Sequence, residues 1–292
     1  MPAEPTASPD SPAFHPSSAS GVPAEVAARL RAAGCVFAEE EAALLLAAVA
    51  AEADAADRLE AMIRRRVAGE PLELVLGWAE FGGLRVAVAP GVFIPRRRSE
   101  FMLREAAAYA RARCAALGDA RPLVVVDLCC GTGALGLALT AELSASAPPA
   151  GIELLAADID PAAVDCARRN LPDGRVFLGD LFAALPPAVR GRIDVLLANV
   201  PYVPSDEVPL LPAEARDHEP LQALDGGADG LDVLRRVAAA APDWLAPGGR
   251  LFVETSSGQV PSALEVLGGA ALAVTHTTDE DTAANVLTAI RR

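Results

Sequence analysis

Two short stretches carry residues whose types and spacing could do chemistry. The first is "VVVDLCCGTGALGLAL", where an apolar run ends at Asp127 and gives way to Gly131, Gly133 and Gly136. Glycines at this spacing let a backbone approach a ligand closely, and the following helix offers free N–H groups. Some 25 residues later a second apolar run ends at Asp158. A carboxylate there suits the two hydroxyls of a ribose. The second stretch is "LLANVPYVPSDEVP", in which an apolar strand stops on Asn199 and is followed by Pro201 and Tyr202. An amide oxygen, a rigid backbone and an aromatic face in sequence make a cup for a planar nitrogen group. The plainer alternative is a strand running into a turn.

Two cofactor classes share the glycine layout. "GTGALG" satisfies the dinucleotide pattern literally, but the acid in "VDLCCGTG" would repel a pyrophosphate. It suits a donor with a cationic amino-acid tail, so S-adenosylmethionine is favoured over a nicotinamide dinucleotide. Asp180, in "FLGDLF", ends a third apolar run. It accepts from an adenine amine in one reading and caps a turn in the other.

At the second stretch the acceptor is read as an amide nitrogen. Its lone pair is delocalised, so catalysis must come from position: Asn199 and the Val200 carbonyl accept the two N–H hydrogens, and Tyr202 packs over the plane. No strong base is needed, because the cationic product nitrogen is acidic.

The elements that position these residues follow from pattern. Val22 to Gly69 reads as three helices, "AEFGGLRVAVAPGVFIP" as a hairpin turning at Gly82-Gly83, and Ser99 as the N-cap of a long helix. From residue 121 apolar strands alternate with helices, Asp160 and Pro161 opening one of them. That alternation implies an α/β fold with a parallel sheet covered on both faces. The expected organisation is a disordered Pro/Ser-rich tail over 1–21, a helical domain with hairpin over 22–95, and a catalytic domain over 96–292.

Composition bounds the rest. Hydrophobic residues make up 52% of the 292, enough for a sizeable core. No apolar run reaches the roughly 18 residues of a membrane span. The first residues have neither a basic region nor an apolar core, so no secretory signal is read there. The five cysteines show no CxxC spacing, so no metal site is expected and a cytoplasmic location is. Cys129 and Cys130 read as filling of small apolar space. The formal net charge of −14 argues against direct nucleic-acid binding. The arginine triplets at 64–66 and 96–98 read as solvated faces or local contacts, with orientation of an acidic partner as the second triplet's alternative. Trp78 and Phe81 read as packing of the hairpin, and His15, His218 and His276 as incidental.

The chain resembles the bacterial release-factor glutamine N(5)-methyltransferases over roughly Ala24 to Gln259. The resemblance lies in "GEPLELVLGWAEFGGLRVAVAPGVFIPR", "DLCCGTGALGLAL", "ADIDPAAVDCARRN", "EPLQALDGGADGLDVLRR" and "LAPGGRLFVETSSGQ". It implies a class I, Rossmann-like seven-stranded S-adenosylmethionine-dependent methyltransferase domain behind a small helical domain and a hairpin linker. It implies transfer of methyl to the glutamine of a Gly-Gly-Gln loop in a peptide-chain release factor. The expected cofactor residues are Asp127, Cys129, Gly131, Thr132, Gly133, Asp158, Ile159, Asp180, Leu181 and Asn199. Asn199, Val200, Pro201 and Tyr202 form the expected acceptor site. Departures are equally specific. Val200 stands where the family has the first proline of Asn-Pro-Pro-Tyr, and Arg97-Arg98 stand where it has a proline and an acid. These point to a divergent paralogue whose target is the release-factor Gly-Gly-Gln loop or a related glutamine. The same tetrapeptide also admits an adenine amine or a small-molecule amide or amine as acceptor. A non-catalytic S-adenosylmethionine-binding protein is the remaining reading.

Overall fold

Proline and glycine punctuate the first alanine- and leucine-rich stretch into separate helices. The computed structural model describes residues 21–118, 120–144 and 151–291. Of the tail expected at 1–21, only Gly21 falls among the described residues, and His15 lies outside them. Helices α1 (Val22–Ala32), α2 (Ala38–Val49) and α3 (Ala55–Val67) pack on one another, and a short α4 (Leu72–Leu76) follows. Val26, Leu30, Leu45, Met62 and Ile63 are buried. Arg66, in the first arginine triplet, donates from Nε and Nη2 to both oxygens of Glu41, at 2.6 and 3.0 Å. It is a buried contact within the bundle.

Packing divides the chain between Val75 and Leu76. The hairpin β1 (Trp78–Phe81) and β2 (Leu84–Ala87) therefore falls with the larger unit, whereas the sequence pattern grouped it with the helices. The reason is apolar burial. Phe81 and Val86 are fully covered in a cluster with Met102, Leu103 and Ala106 of α5 (Glu100–Leu117).

Seven strands form the main sheet: β3 (Leu123–Leu128), β4 (Ile152–Asp158), β5 (Arg175–Leu178), β6 (Ile193–Ala198), β7 (Leu245–Thr255), β8 (Leu272–Asp279) and β9 (Ala284–Arg291). Their order is β5-β4-β3-β6-β7-β9-β8. The first five in that row run parallel, and β9 is antiparallel to both β7 and β8. Between strands lie α6 (Ala134–Ser144), α7 (Pro161–Asn170), α8 (Ala213–His218), α9 (Leu221–Leu224), α10 (Asp232–Trp244) and α11 (Val260–Gly269). Strands β3 and β6 are buried at every residue, which is why both read as almost wholly apolar runs, broken only by Asp127 and Asp194. Alternation splits their side chains between two clusters. Val124, Val126, Leu196 and Ala198 pack with Leu234 and Val237 of α10, while Val125, Val195 and Leu197 pack with residues of α5 and α6.

At the amino end of the sheet, Asp194 is fully buried and accepts from Arg113, Arg121 and the Val124 N–H. Burial alone would raise its pKa; these donors outweigh it and hold the carboxyl below its ordinary value. The carboxyl ends of the strands are left for chemistry. The sheet order reverses between β3 and β6, and such a reversal is where doubly wound sheets bind ligands. Among the described residues no helix is long and apolar enough to cross a membrane.

Candidate active site

The loop after β3 is a closed turn. Gly133 N donates to Cys130 O at 2.7 Å, and Cys130 N to Ala157 O at 3.1 Å on the neighbouring strand. Cys129, Gly131 and Gly133 all have positive φ, and a Cβ on Gly133 would stand 2.9 Å from Leu171 Cδ1. Thr132 is buried in the same turn. Asp127 is buried beneath it and accepts from Gly136 N at 3.0 Å. Asp158, ending β4, accepts from Gly131 N at 2.8 Å and from Asp160 N at 3.0 Å. Asp160 caps α7 as its sequence position suggested, its side chain accepting from Ala162 N. The expected loop residues and both acids are thus brought together across β3 and β4.

The cradle holds two buried carboxyls whose charged form is disfavoured until a cation lies beside them. Burial pushes the Asp127 carboxyl up to about 7 and raises that of Asp158. Two acids in this state gain from a nearby cation and would repel a phosphate. The donor set therefore fits the cationic S-adenosylmethionine better than a dinucleotide. Asn170 holds the cradle to the hairpin, donating to Ala87 O at 2.9 Å and Thr132 O at 2.8 Å. The Phe93 carbonyl oxygen lies 3.9 Å from where a Gly131 Cβ would be, so the segment after the hairpin overlies the loop.

The outer expected residues sit differently. Ile159 is half exposed just beyond β4. Leu181 has positive φ and follows β5. Asp180 makes no capping hydrogen bond; it pairs with Arg236 of α10 at 2.5 Å.

Asn199 emerges from β6 beside the loop, because Leu128 pairs with Ala198. Its Nδ2 lies 3.4 Å from Ser99 Oγ. Ser99 was expected to cap α5, but its helical backbone makes no side-chain cap, and the buried hydroxyl faces Asn199 instead. Val200 is 2% exposed and packs in the core cluster, filling with a side chain the space beneath the turn. The Tyr202 hydroxyl donates to Glu254 Oε1 at 2.9 Å and accepts from Arg98 Nη2. Arg98 Nε stands 2.9 Å from the same Glu254 oxygen. Burial, then the Glu254 charge, raise the Tyr202 phenol well above its ordinary range.

The backbone of this turn is clasped from behind. Gln259 Nε2 donates to Tyr202 O at 2.7 Å and to Asp229 O at 2.9 Å, and its Oε1 accepts from Thr255 and Ser256. Val203 N donates to Leu224 O, and Gly226 N to Val203 O. Glu219 is buried and accepts from Ile94 N at 3.1 Å and from Arg96 Nη2 at 2.6 Å, tying the linker to the same segment. Glu219, Glu254 and Gln259 were not singled out from sequence. Glu254 did leave a signal, an acid closing the apolar run "RLFVE".

No protein-family model matches the chain. It is 38% identical over 215 residues to the release factor glutamine methyltransferase of Streptomyces coelicolor, spanning 72% of each chain. It is 36% identical over 202 residues to the 4-amino-L-phenylalanine/4-methylamino-L-phenylalanine methyltransferase of Streptomyces pristinaespiralis, spanning 68% of this chain and 66% of that one. Among solved structures, a T. thermophilus 16S rRNA methyltransferase in complex with AdoMet and guanosine superposes with a TM-score of 0.50 at 21% identity. That match covers 74% of this chain and 50% of the other, and it supports the class I methyltransferase fold.

Proposed function

This chain belongs to the family of release factor glutamine methyltransferases, and on that premise we propose that it methylates the side-chain amide nitrogen of a protein glutamine. The target is the Gly-Gly-Gln loop of a release factor or a related exposed glutamine. One observation carries the reading: Asn199 leaves β6 directly beside the glycine loop, on a turn locked by Glu254 and Gln259. S-adenosylmethionine, the methyl donor of this enzyme class, supplies an activated methyl on a sulfonium.

The chain's own residues do the positioning. Asp158 offers acceptor oxygens to a ribose, and Asp127 a buried carboxyl beneath the loop that a cationic ligand would hold ionised. Asn199 Oδ1 has no hydrogen-bond partner among the described residues and is available to one amide N–H, with the Val200 carbonyl for the other. The Tyr202 ring walls the planar group. Holding both hydrogens turns the nitrogen lone pair toward the donor, and the buried site excludes competing water. The proton of the methylated nitrogen leaves to solvent. Among the described residues Cys114, Cys129, Cys130 and Cys166 form no disulfide, in keeping with the reducing cytoplasmic setting we propose for the enzyme.

A second reading, an amine on a small amino acid, is favoured by the relationship to the aminophenylalanine enzyme. Labelled methyl transfer to the host's release factors and to 4-amino-L-phenylalanine separates them. Label in the protein fraction supports the proposal; label in the amino acid alone replaces it.

A further inference from the structure

Two arginines stand where the family pattern has a proline and an acid. Arg98 reaches from the turn Arg97–Ser99 to the acceptor end of β6. Its Nε contacts Glu254 Oε1 at 2.9 Å, and its Nη2 donates to the Tyr202 hydroxyl. Glu254 is buried, and the same Oε1 accepts from Tyr202 at 2.9 Å. A guanidinium carries five N–H donors in a flat fork. Two are engaged here, and the side chain is 49% exposed, so its outer edge is open. Arg97 beside it is exposed and forms no ion pair among the described residues. Arg96, by contrast, is neutralised by Glu219. With Arg98 paired to Glu254 and Arg96 to Glu219, Arg97 leaves this cluster with one cation in excess, on a chain of net charge −14.

We propose that Arg98, flanked by Arg97, is a specificity-determining residue that receives a carboxylate lying next to the acceptor nitrogen of the substrate. This rests on the methyl-transfer reading above. The open edge of the fork matches a carboxylate through two parallel hydrogen bonds. Glu254 and Tyr202 fix the inner edge, so the fork is oriented before the substrate arrives and loses little freedom on binding. An acid at position 98 would face Glu254 and repel the same group. The position therefore selects by sign, attracting one class and rejecting its opposite. In a protein substrate the carboxylate belongs to an Asp or Glu beside the glutamine. In a small amine it is the molecule's own.

The test is binding to the full chain saturated with S-adenosylhomocysteine. Two ligand pairs are compared: glutamine peptides flanked by Glu or by Lys, and 4-amino-L-phenylalanine against its decarboxylated amine. The wild type should bind the carboxylate member of a pair about tenfold more tightly, the scale of one charge-assisted contact. The margin should shrink with salt, vanish in Arg98→Gln and invert in Arg98→Glu. Unchanged S-adenosylhomocysteine affinity in both variants reports an intact fold. No carboxylate preference in either pair, or one that survives Arg98→Gln, overturns the proposal. Methyl transfer measured in parallel is a separate readout. A peptide preference without glutamine methylation keeps Arg98 as the selector and removes glutamine as the acceptor.

Discussion

The side-chain amide of Gln259 donates to the carbonyl oxygen of Tyr202 at 2.7 Å, across 57 residues of sequence. With its second bond to Asp229 O, this one side chain joins the acceptor turn to the glycine-rich segment behind it. The end of β7 thereby shapes the end of β6.

Replacing Gln259 by Ala leaves those carbonyls and the Thr255 and Ser256 hydroxyls without their partner. The expected loss is about 1–3 kcal/mol of stability in urea unfolding. Methyl transfer should fall while cofactor affinity holds, because no Gln259 bond reaches the loop after β3.

Gly230 makes a harder test of the same contact. Its φ is +74°, and a Cβ there would lie 2.2 Å from Tyr202 O. Backbone cannot yield to that distance, so Gly230→Ala should displace the turn. Strain alone costs about 1–2 kcal/mol. Kinetics should show a loss in kcat at nearly unchanged cofactor Kd.

Asp127 gives a signed pH dependence. Burial holds its folded pKa at about 7, above the ordinary 3.8. The folded chain keeps a proton that the unfolded chain has released. This contribution to stability is full below 3.8 and is lost as pH rises toward about 7. Asp127→Asn keeps an oxygen for Gly136 N and cannot ionise. Unfolding free energies of the ligand-free proteins should therefore diverge across that window, the wild type declining relative to the variant. Parallel curves would contradict the assignment.

The helical unit has its own marker in Arg66 and Glu41, whose side chains are 10% and 11% exposed. Glu41→Ala removes the carboxylate from a buried guanidinium that keeps its bond to Glu70 O, and should cost about 3 kcal/mol. Thermal unfolding reads this directly.

Much of the architecture was legible because it rests on local rules. Predominantly apolar runs marked β3 and β6, Gly82-Gly83 marked the hairpin turn, and Asp160 with Pro161 marked the start of α7. The glycine loop and Asp158 were readable for the same reason, since a strand end and a turn lie close in sequence. What escaped depends on contacts between distant segments. Ser99 has the right residue type for a cap, yet tertiary packing turns it to Asn199. Asp180 reads as a strand-end acceptor or a turn cap, and Arg236 from a helix 56 residues away pairs with it. Glu219 and Gln259 look like ordinary polar residues until the sheet order brings their segments beside β6, and Glu254 shows only as an acid closing an apolar run.

The central claim is that Asn199 presents a protein glutamine to the methyl donor. The most direct measurement is peptide mass spectrometry of the host's release factors and soluble proteins after incubation with the enzyme and labelled S-adenosylmethionine. The account predicts one added methyl on a glutamine side chain, absent with Asn199→Ala although that variant still binds the cofactor. Full transfer by Asn199→Ala, or label only on acceptors other than glutamine, would contradict it.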